Sequence, residues 1–177
     1  KNSKILNYLT EQGILSESQA RQQLSLVKGD GLALLSEIIH ERPQLKERLG
    51  KLWGDLLNVA YVNLDRTLVN YDIVRLFPRE FALKMKMVPI VSFGEVLTVA
   101  CAHPDEKERF LEAENFINTF ISSVFAFPEE IETFVELAYQ SAEHLAELLA
   151  INFAAEAANA GSDDPEKTVS RETLENQ

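Results

Sequence analysis

The sequence is poor in the residues that build covalent and metal-centred sites. It holds one cysteine (Cys101), three histidines and one tryptophan in 177 residues. A single thiol excludes an internal disulfide and any multi-cysteine metal site. His40, His103 and His144 fall in separate segments with no i, i+4 partner, so no metal-ligand spacing is present. The seven glycines form no phosphate-cradling cluster, and neither G-x-x-x-x-G-K-[ST] nor G-x-G-x-x-G occurs. No run of about 18 uncharged apolar residues occurs, so no membrane span is encoded. No signal-peptide pattern opens the chain; because residue 1 is Lys rather than Met, a processed leader stays open.

Positive charge is also short. Lys and Arg number 17 against 28 Asp and Glu, a net of −11. Phosphates meet repulsion on such a surface, which excludes unspecific binding to nucleic acid or anionic membrane. The imbalance is uneven. Residues 1–50 carry seven basic and six acidic residues (net +1), residues 51–154 eight and sixteen (−8), and residues 155–177 two and six (−4). The first third is a separate electrostatic region and offers the only background without strong negative charge.

What is present is apolar periodicity. Ile5, Leu6, Tyr8 and Leu9 predict a helix that stops at Gly13. Ser16 with Gln19 forms a capping-box pattern for a second helix carrying Ala20, Leu24 and Val27. Lys28 to Gly31 is a break, and Gly29 with Gly31 reads as an interhelix turn. A third helix bears Leu34, Leu35, Ile38 and Ile39 and ends by Pro43; a fourth bears Leu45, Leu49, Leu52, Trp53, Leu56 and Leu57. Tyr61–Leu64 reads as extended, Val69–Phe77 as a weak helix, and Pro78–Met85 as a helix with Pro in its first turn. Met87–Phe93, the Gly94-Glu95 turn and Val96–Ala102 predict a hairpin whose second strand is central. A helix from Pro104, a strand over Ile121–Phe127 and a long helix from Pro128 to about Asn159 follow. From Gly161 the chain is polar and aperiodic and reads as a disordered tail or linker.

The fold class is therefore α+β: a small N-terminal helical bundle, then a small sheet of three or slightly more strands packed by helices, with a long C-terminal helix. The expected units are residues 1–57, 58–160 and a tail, 161–177. The apolar stripe through Ala142, Leu145, Leu148, Leu149 and Phe153 must be covered, either by packing back on the domain or by pairing with a second copy as a homodimer.

No catalytic constellation emerges. Cys101 and His103 are two apart at a strand end, yet a cysteine in an apolar strand behaves as a small buried hydrophobe. Asp105-Glu106 and Glu129-Glu130 sit at predicted helix N-termini, where the helix dipole accounts for them. Met85 and Met87 around Lys84 and Lys86 read as one core methionine and a solvated lysine pair. The residues give no metal, no cofactor and no enzyme.

The run Leu76-Phe77-Pro78-Arg79-Glu80-Phe81-Ala82, then Met87-Val88-Pro89-Ile90, Gly94 to Ala100 and His103-Pro104-Asp105, resembles a known domain. It is similar to the N-terminal domain of the assembly ATPases of type II secretion and type IV pili (general secretion pathway protein E and its pilus relatives). That family shows lP-x-x-x-A, vlPl, g-x-L-x-vA and dP in this order. Leu57 to Leu64 matches its lead-in, and Glu11 to Ala20 fits its helical start. The resemblance covers about residues 4–140.

The resemblance implies a mobile, non-hydrolysing module of a hexameric motor, or a stand-alone relative. It would dock on the cytoplasmic domain of the inner-membrane platform protein, peripheral to the bacterial inner membrane, with an ATPase domain beyond Gln177. A non-ATPase fusion partner is the alternative left open by the long last helix. A subgroup of the family binds cyclic di-GMP through tandem motifs, R-L-G-x-x-L-V-x-x-G-L-I-x-x-x-x-L-x-x-x-L-x-x-Q. Aligned from Lys4 to Val27, Gly13, Ile14, Leu15 and Leu24 match, whereas Lys4 stands for the arginine, Leu6 for the glycine and Val27 for the glutamine. In the second copy, Leu32 to Leu52, Arg42-Pro43 interrupts the turn. Without the bidentate arginine and close-approach glycine, phosphate binding is weakened.

Overall fold

Local chemistry sets the helical start of the chain. In the computed structural model, which describes residues 1–160, helix α1 (Asn2–Glu11) buries Ile5 and Leu9 one turn apart. Gly13 then takes φ +65°, and the amides of Ile14 and Leu15 both return to the Leu9 carbonyl, at 2.9 and 3.2 Å. Helix α2 (Glu17–Leu26) opens on a full capping box: the Gln19 amide donates to Ser16 Oγ at 3.3 Å, and the Ser16 amide donates to Gln19 Oε1 at 3.0 Å. Helix α3 (Gly31–Glu41) is capped by Asp30, whose carboxylate accepts from the amides of Leu32 and Ala33. A 3-10 turn, Pro43–Leu45, leads into α4 (Lys46–Leu57). Ile5, Leu9, Ile14, Leu34, Leu35, Leu49 and Trp53 form one buried cluster among these helices.

The α/β part follows. A 3-10 turn spans Leu64–Arg66, then come α5 (Tyr71–Val74), α6 (Arg79–Met85), β1 (Met87–Phe93), β2 (Val96–Cys101), α7 (Lys107–Ile117), β3 (Phe120–Phe125) and α8 (Pro128–Ala160). The sheet order is β1-β2-β3, antiparallel then parallel, so β2 is central as its two-sided apolar pattern requires. Positive φ at Gly94 and not at Glu95 fits the type II′ hairpin turn. A register shift lies between Pro89 and Val91 on edge strand β1. A second core, with Phe77, Met85, Met87, Val99, Ala113 and Ile131, packs the sheet against helices. The architecture is the expected α+β class with a long last helix.

The two cores meet at β3. Phe125 and Phe127 leave the strand end for the helical cluster, stack edge-on at 5.0 Å, and flank the Tyr61 ring at 6.0 and 5.9 Å. Residues 60–62 bond to Phe125 as a short parallel bridge. At the other end, Phe93, Val96 and Phe120 stand in register across the sheet and are exposed by 88%, 42% and 71%.

Several local expectations need correction. The helix expected over Val69–Phe77 is a single turn, Tyr71–Val74, because Asn70 caps it by accepting from Asp72 and Ile73 and the chain turns again before Pro78. Pro78 is the N-cap of α6 rather than its first residue. Helix α7 begins at Lys107, since Pro104 and Asp105 are taken by a turn closed by the Glu106 amide on the His103 carbonyl. Both Met85 and Met87 are buried, because Lys86 between them takes a left-handed conformation (φ +52°) that turns the chain from helix to strand.

The chain divides into Lys1–Tyr139 and Gln140–Gln177, and α8 contributes to both. In the second unit, Leu145, Leu148, Leu149, Ile151 and Phe153 are exposed. The expected tail from Gly161 lies outside the described residues.

Candidate functional site

The spacing of α3 builds a groove. Ala33, Ser36, Glu37, His40 and Glu41 recur at three- and four-residue intervals, which places them on one helix face. With Asp30, Leu32, His103, Pro128 and Glu129 they line a cavity of about 580 Å³. Ser36 Oγ donates to Glu129 Oε2 at 3.3 Å, tying α3 to the start of α8. His103 Nδ1 lies 3.7 Å from Glu106, which also pairs with Arg109. Sequence spacing kept His40 and His103 apart; the fold brings both to one groove. No group of histidine, cysteine and carboxylate side chains among the described residues is arranged to hold a metal ion.

Next to Glu129 in the sequence stands the acid of a polar centre. Glu130 is 5% exposed, a buried carboxylate in an apolar interior. It stands at the third position of α8 and accepts from the Phe127 amide at 3.1 Å, so the capping role expected of it holds. The Tyr61 hydroxyl donates to it at 3.2 Å, and Lys46 Nζ lies 3.5 Å away while also pairing with Asp65. Burial pushes the Glu130 carboxyl above its ordinary value, against the opposing pull of the Phe127 N–H and the Lys46 charge. Burial works to lower the Lys46 ammonium, but the hydrogen bond to Asp65 and the two carboxylate charges outweigh it, and its pKa is raised. Tyr61 is also raised, by burial and by Glu130. No sequence signal marked Lys46 or Tyr61; a Glu three residues after an uncapped Phe was the one trace of the cluster.

The residues aligned with the nucleotide motif are placed as follows. Lys4 is exposed on α1, and Gly13 is exposed at the turn. Ile14 is buried, and Leu15 and Leu24 are half-buried against the same helical cluster. The Ile14 carbonyl accepts from Arg42 Nη1 at 2.9 Å. Leu15 lines a cavity of about 20 Å³ with Gln23, Glu37, Ile38, Glu41 and Arg42. The fold thus gathers Ile14, Leu15 and Leu24 on one core, with Lys4 on the surface.

Cys101 and His103 do not pair. The thiol is fully buried and pushed up to about 12 by burial, while His103 faces the groove.

A solved structure of MshE with cdg matches this fold with a TM-score of 0.55 at 24% identity, over 76% of this chain and 98% of that one. Two solved structures of the N-terminal domain of XpsE match at 16% and 14% identity, over 76% of this chain and 93% and 92% of theirs, with TM-scores of 0.44 and 0.48. No curated protein matches the chain. The MshEN domain profile matches residues 57–145, half of the chain. The chain therefore belongs to the MshEN domain family. No helix among the described residues is long and apolar enough to cross a membrane.

Proposed function

We propose that the chain is a non-catalytic docking and regulatory module of a type II secretion or type IV pilus motor. It binds the cytoplasmic domain of the inner-membrane platform protein and works at the cytoplasmic face of that membrane through this partner. Membership of the MshEN domain family carries the reading. Calorimetry against the platform protein's cytoplasmic domain tests it: saturable binding supports the role, and no heat at high micromolar concentration overturns it. The exposed stripe of Leu145, Leu148 and Leu149 supports self-association of the same module. Sedimentation of the chain against L145E/L149E tests that, and an unchanged mass rejects it.

A second reading is cyclic di-GMP sensing. The likeness to MshE with cdg and the Gly13-Ile14-Leu15 turn favour it. Lys4, Gly13, Ile14, Leu15 and Leu24 are the candidate contacts. A ligand at 100 times its Kd stabilises the folded state by about 2.7 kcal/mol. Thermal-shift titration reads this directly, and no shift at millimolar ligand eliminates it.

A further inference from the structure

We infer that the groove between α3 and the start of α8 is the docking surface for a basic segment, rich in Lys and Arg, of the module's protein partner. This rests on the docking role proposed above and adds where the contact is made and by what chemistry.

The first observation is a set of carboxylates with no facing cation in a shaped site. Asp30, Glu37, Glu41 and Glu129 line the groove of about 580 Å³, and no lysine or arginine is among its lining residues. Some acids elsewhere are paired, Glu17 with Arg21, Glu47 with Lys51 and Arg66, Glu112 with Lys84, Glu132 with Lys86 and Glu136 with Arg79. Glu11, Asp55, Glu80, Glu95 and Glu108 are exposed without an ion-pair partner among the described residues, but they stand outside the groove, which gathers four carboxylates in one concavity. Among the described residues, none of the groove's four carboxylates has an ion-pair partner. Arg42, which shares a small neighbouring cavity with Glu37 and Glu41, donates to the Ile14 carbonyl, and Arg109 is held by Glu106. Field lines from several carboxylates converge in a concave surface and raise the local concentration of cations there.

The second observation is the floor. Leu32, Ala33 and Pro128 give the groove an apolar base below its carboxylate rim. A Lys or Arg side chain matches that pairing, since its methylene stem covers apolar surface while its head meets carboxylates. A short inorganic cation does not use the floor. The exposed row of Phe93, Val96 and Phe120 is the competing surface, but the turn beside it carries the single acid Glu95 and no cluster of charge.

The histidines supply the test. His40 and His103 line the groove, and His144 belongs to the Gln140–Gln177 unit. The probe is the peptide acetyl-KLRAKLRAKLRA-amide, with the Glu-substituted peptide as control, added to the full chain while the three imidazoles are followed by NMR. The expected result is movement of His40 and His103 with His144 still, and at least tenfold weaker binding in E37K/E41K. E95K/E108K, which carries the same charge change at exposed positions outside the groove, binds as the wild type. E37Q/E41Q, which keeps side-chain size, falls between, and circular dichroism confirms that each variant is folded. Equal movement of all three histidines, or equal loss in both charge-reversal pairs, assigns the binding to diffuse acidity and overturns the inference. So does movement confined to amides around Phe93, Val96 and Phe120. If the platform domain binds E37K/E41K as well as the wild type, the groove fails and the docking role stands. If the platform domain does not bind at all, the docking role fails, and the peptide data alone decide the groove.

Discussion

The Tyr61 hydroxyl donates to Oε1 of Glu130 at 3.2 Å, across the junction where the helical core meets the sheet. Loss of a hydrogen bond to a buried charged acceptor costs about 1–3 kcal/mol. Y61F, which keeps the ring between Phe125 and Phe127, is expected to lose that amount in urea unfolding. At about 2–4 °C per kcal/mol for a chain of this size, a lower melting temperature accompanies it. Equal stability of Y61F and the wild type rejects the assignment.

The same carboxylate gives a pH dependence with a definite sign. Its folded pKa lies above the ordinary value of 4.5. Such a group stabilises the fold fully below its unfolded pKa, and the contribution is lost as pH rises through the folded pKa. Asp105, held down chiefly by the hydrogen bond from Lys1, acts in the opposite sense and loses its contribution as pH falls. The difference between the wild type and E130Q isolates Glu130. We expect the wild type to gain on E130Q as pH is lowered toward 4.5 and the difference then to level. Denaturant midpoints measured across the acid range check this, and a difference that shrinks on acidification contradicts it.

Gly50 is required by packing. A Cβ there would stand 2.6 Å from the Tyr61 ring, and that ring is fixed by Glu130 on one side and by two phenylalanines. Overpacking of this kind costs about 1–3 kcal/mol. G50A is expected to be destabilised within that range, and the double variant G50A/Y61A should cost less than the sum of its parts. Additivity of the two changes would place Gly50 outside contact with Tyr61.

Ser16 gives a smaller, local effect. Its hydroxyl and the Gln19 amide close the capping box of α2. S16A should lose about 1 kcal/mol, with S16D nearly neutral, as read by thermal unfolding. Equal loss in both variants would point away from capping.

The fate of the thiol is equally testable. Cys101 is fully buried and its pKa is pushed up to about 12, so at neutral pH the thiolate is scarce and inaccessible. Iodoacetamide should leave the folded chain unlabelled for hours and label it at once in denaturant. Rapid labelling of the folded chain would refute the buried placement.

What was legible in the sequence was local. The Ser16 capping box, the Gly13 stop and the Gly94-Glu95 hairpin depend on residues within four positions of one another, and their side chains declare them. The centrality of β2 was legible too, because burial on both faces removes the polar alternation. The groove and the polar centre were not. His40 and His103 come to line one groove, and Lys46 and Tyr61 meet Glu130, only after the chain has closed around β3. Glu130 itself was read as a cap, which it is; nothing within its own helix reveals that Tyr61 and Lys46 also converge on it. The short α5 and the late start of α7 were missed for a related reason: Asn70 and the His103–Glu106 turn satisfy backbone groups that periodicity counts as helical.

Edge strand β1 carries Pro89 beside its register shift. Proline offers no amide hydrogen, and the irregularity bends the backbone away from a flat template, two devices that discourage a foreign strand from zipping on. The fold is thereby shielded along β1 against indiscriminate sheet extension. Recognition is left to side chains, which can be tuned one at a time, rather than to the main chain, which every protein shares.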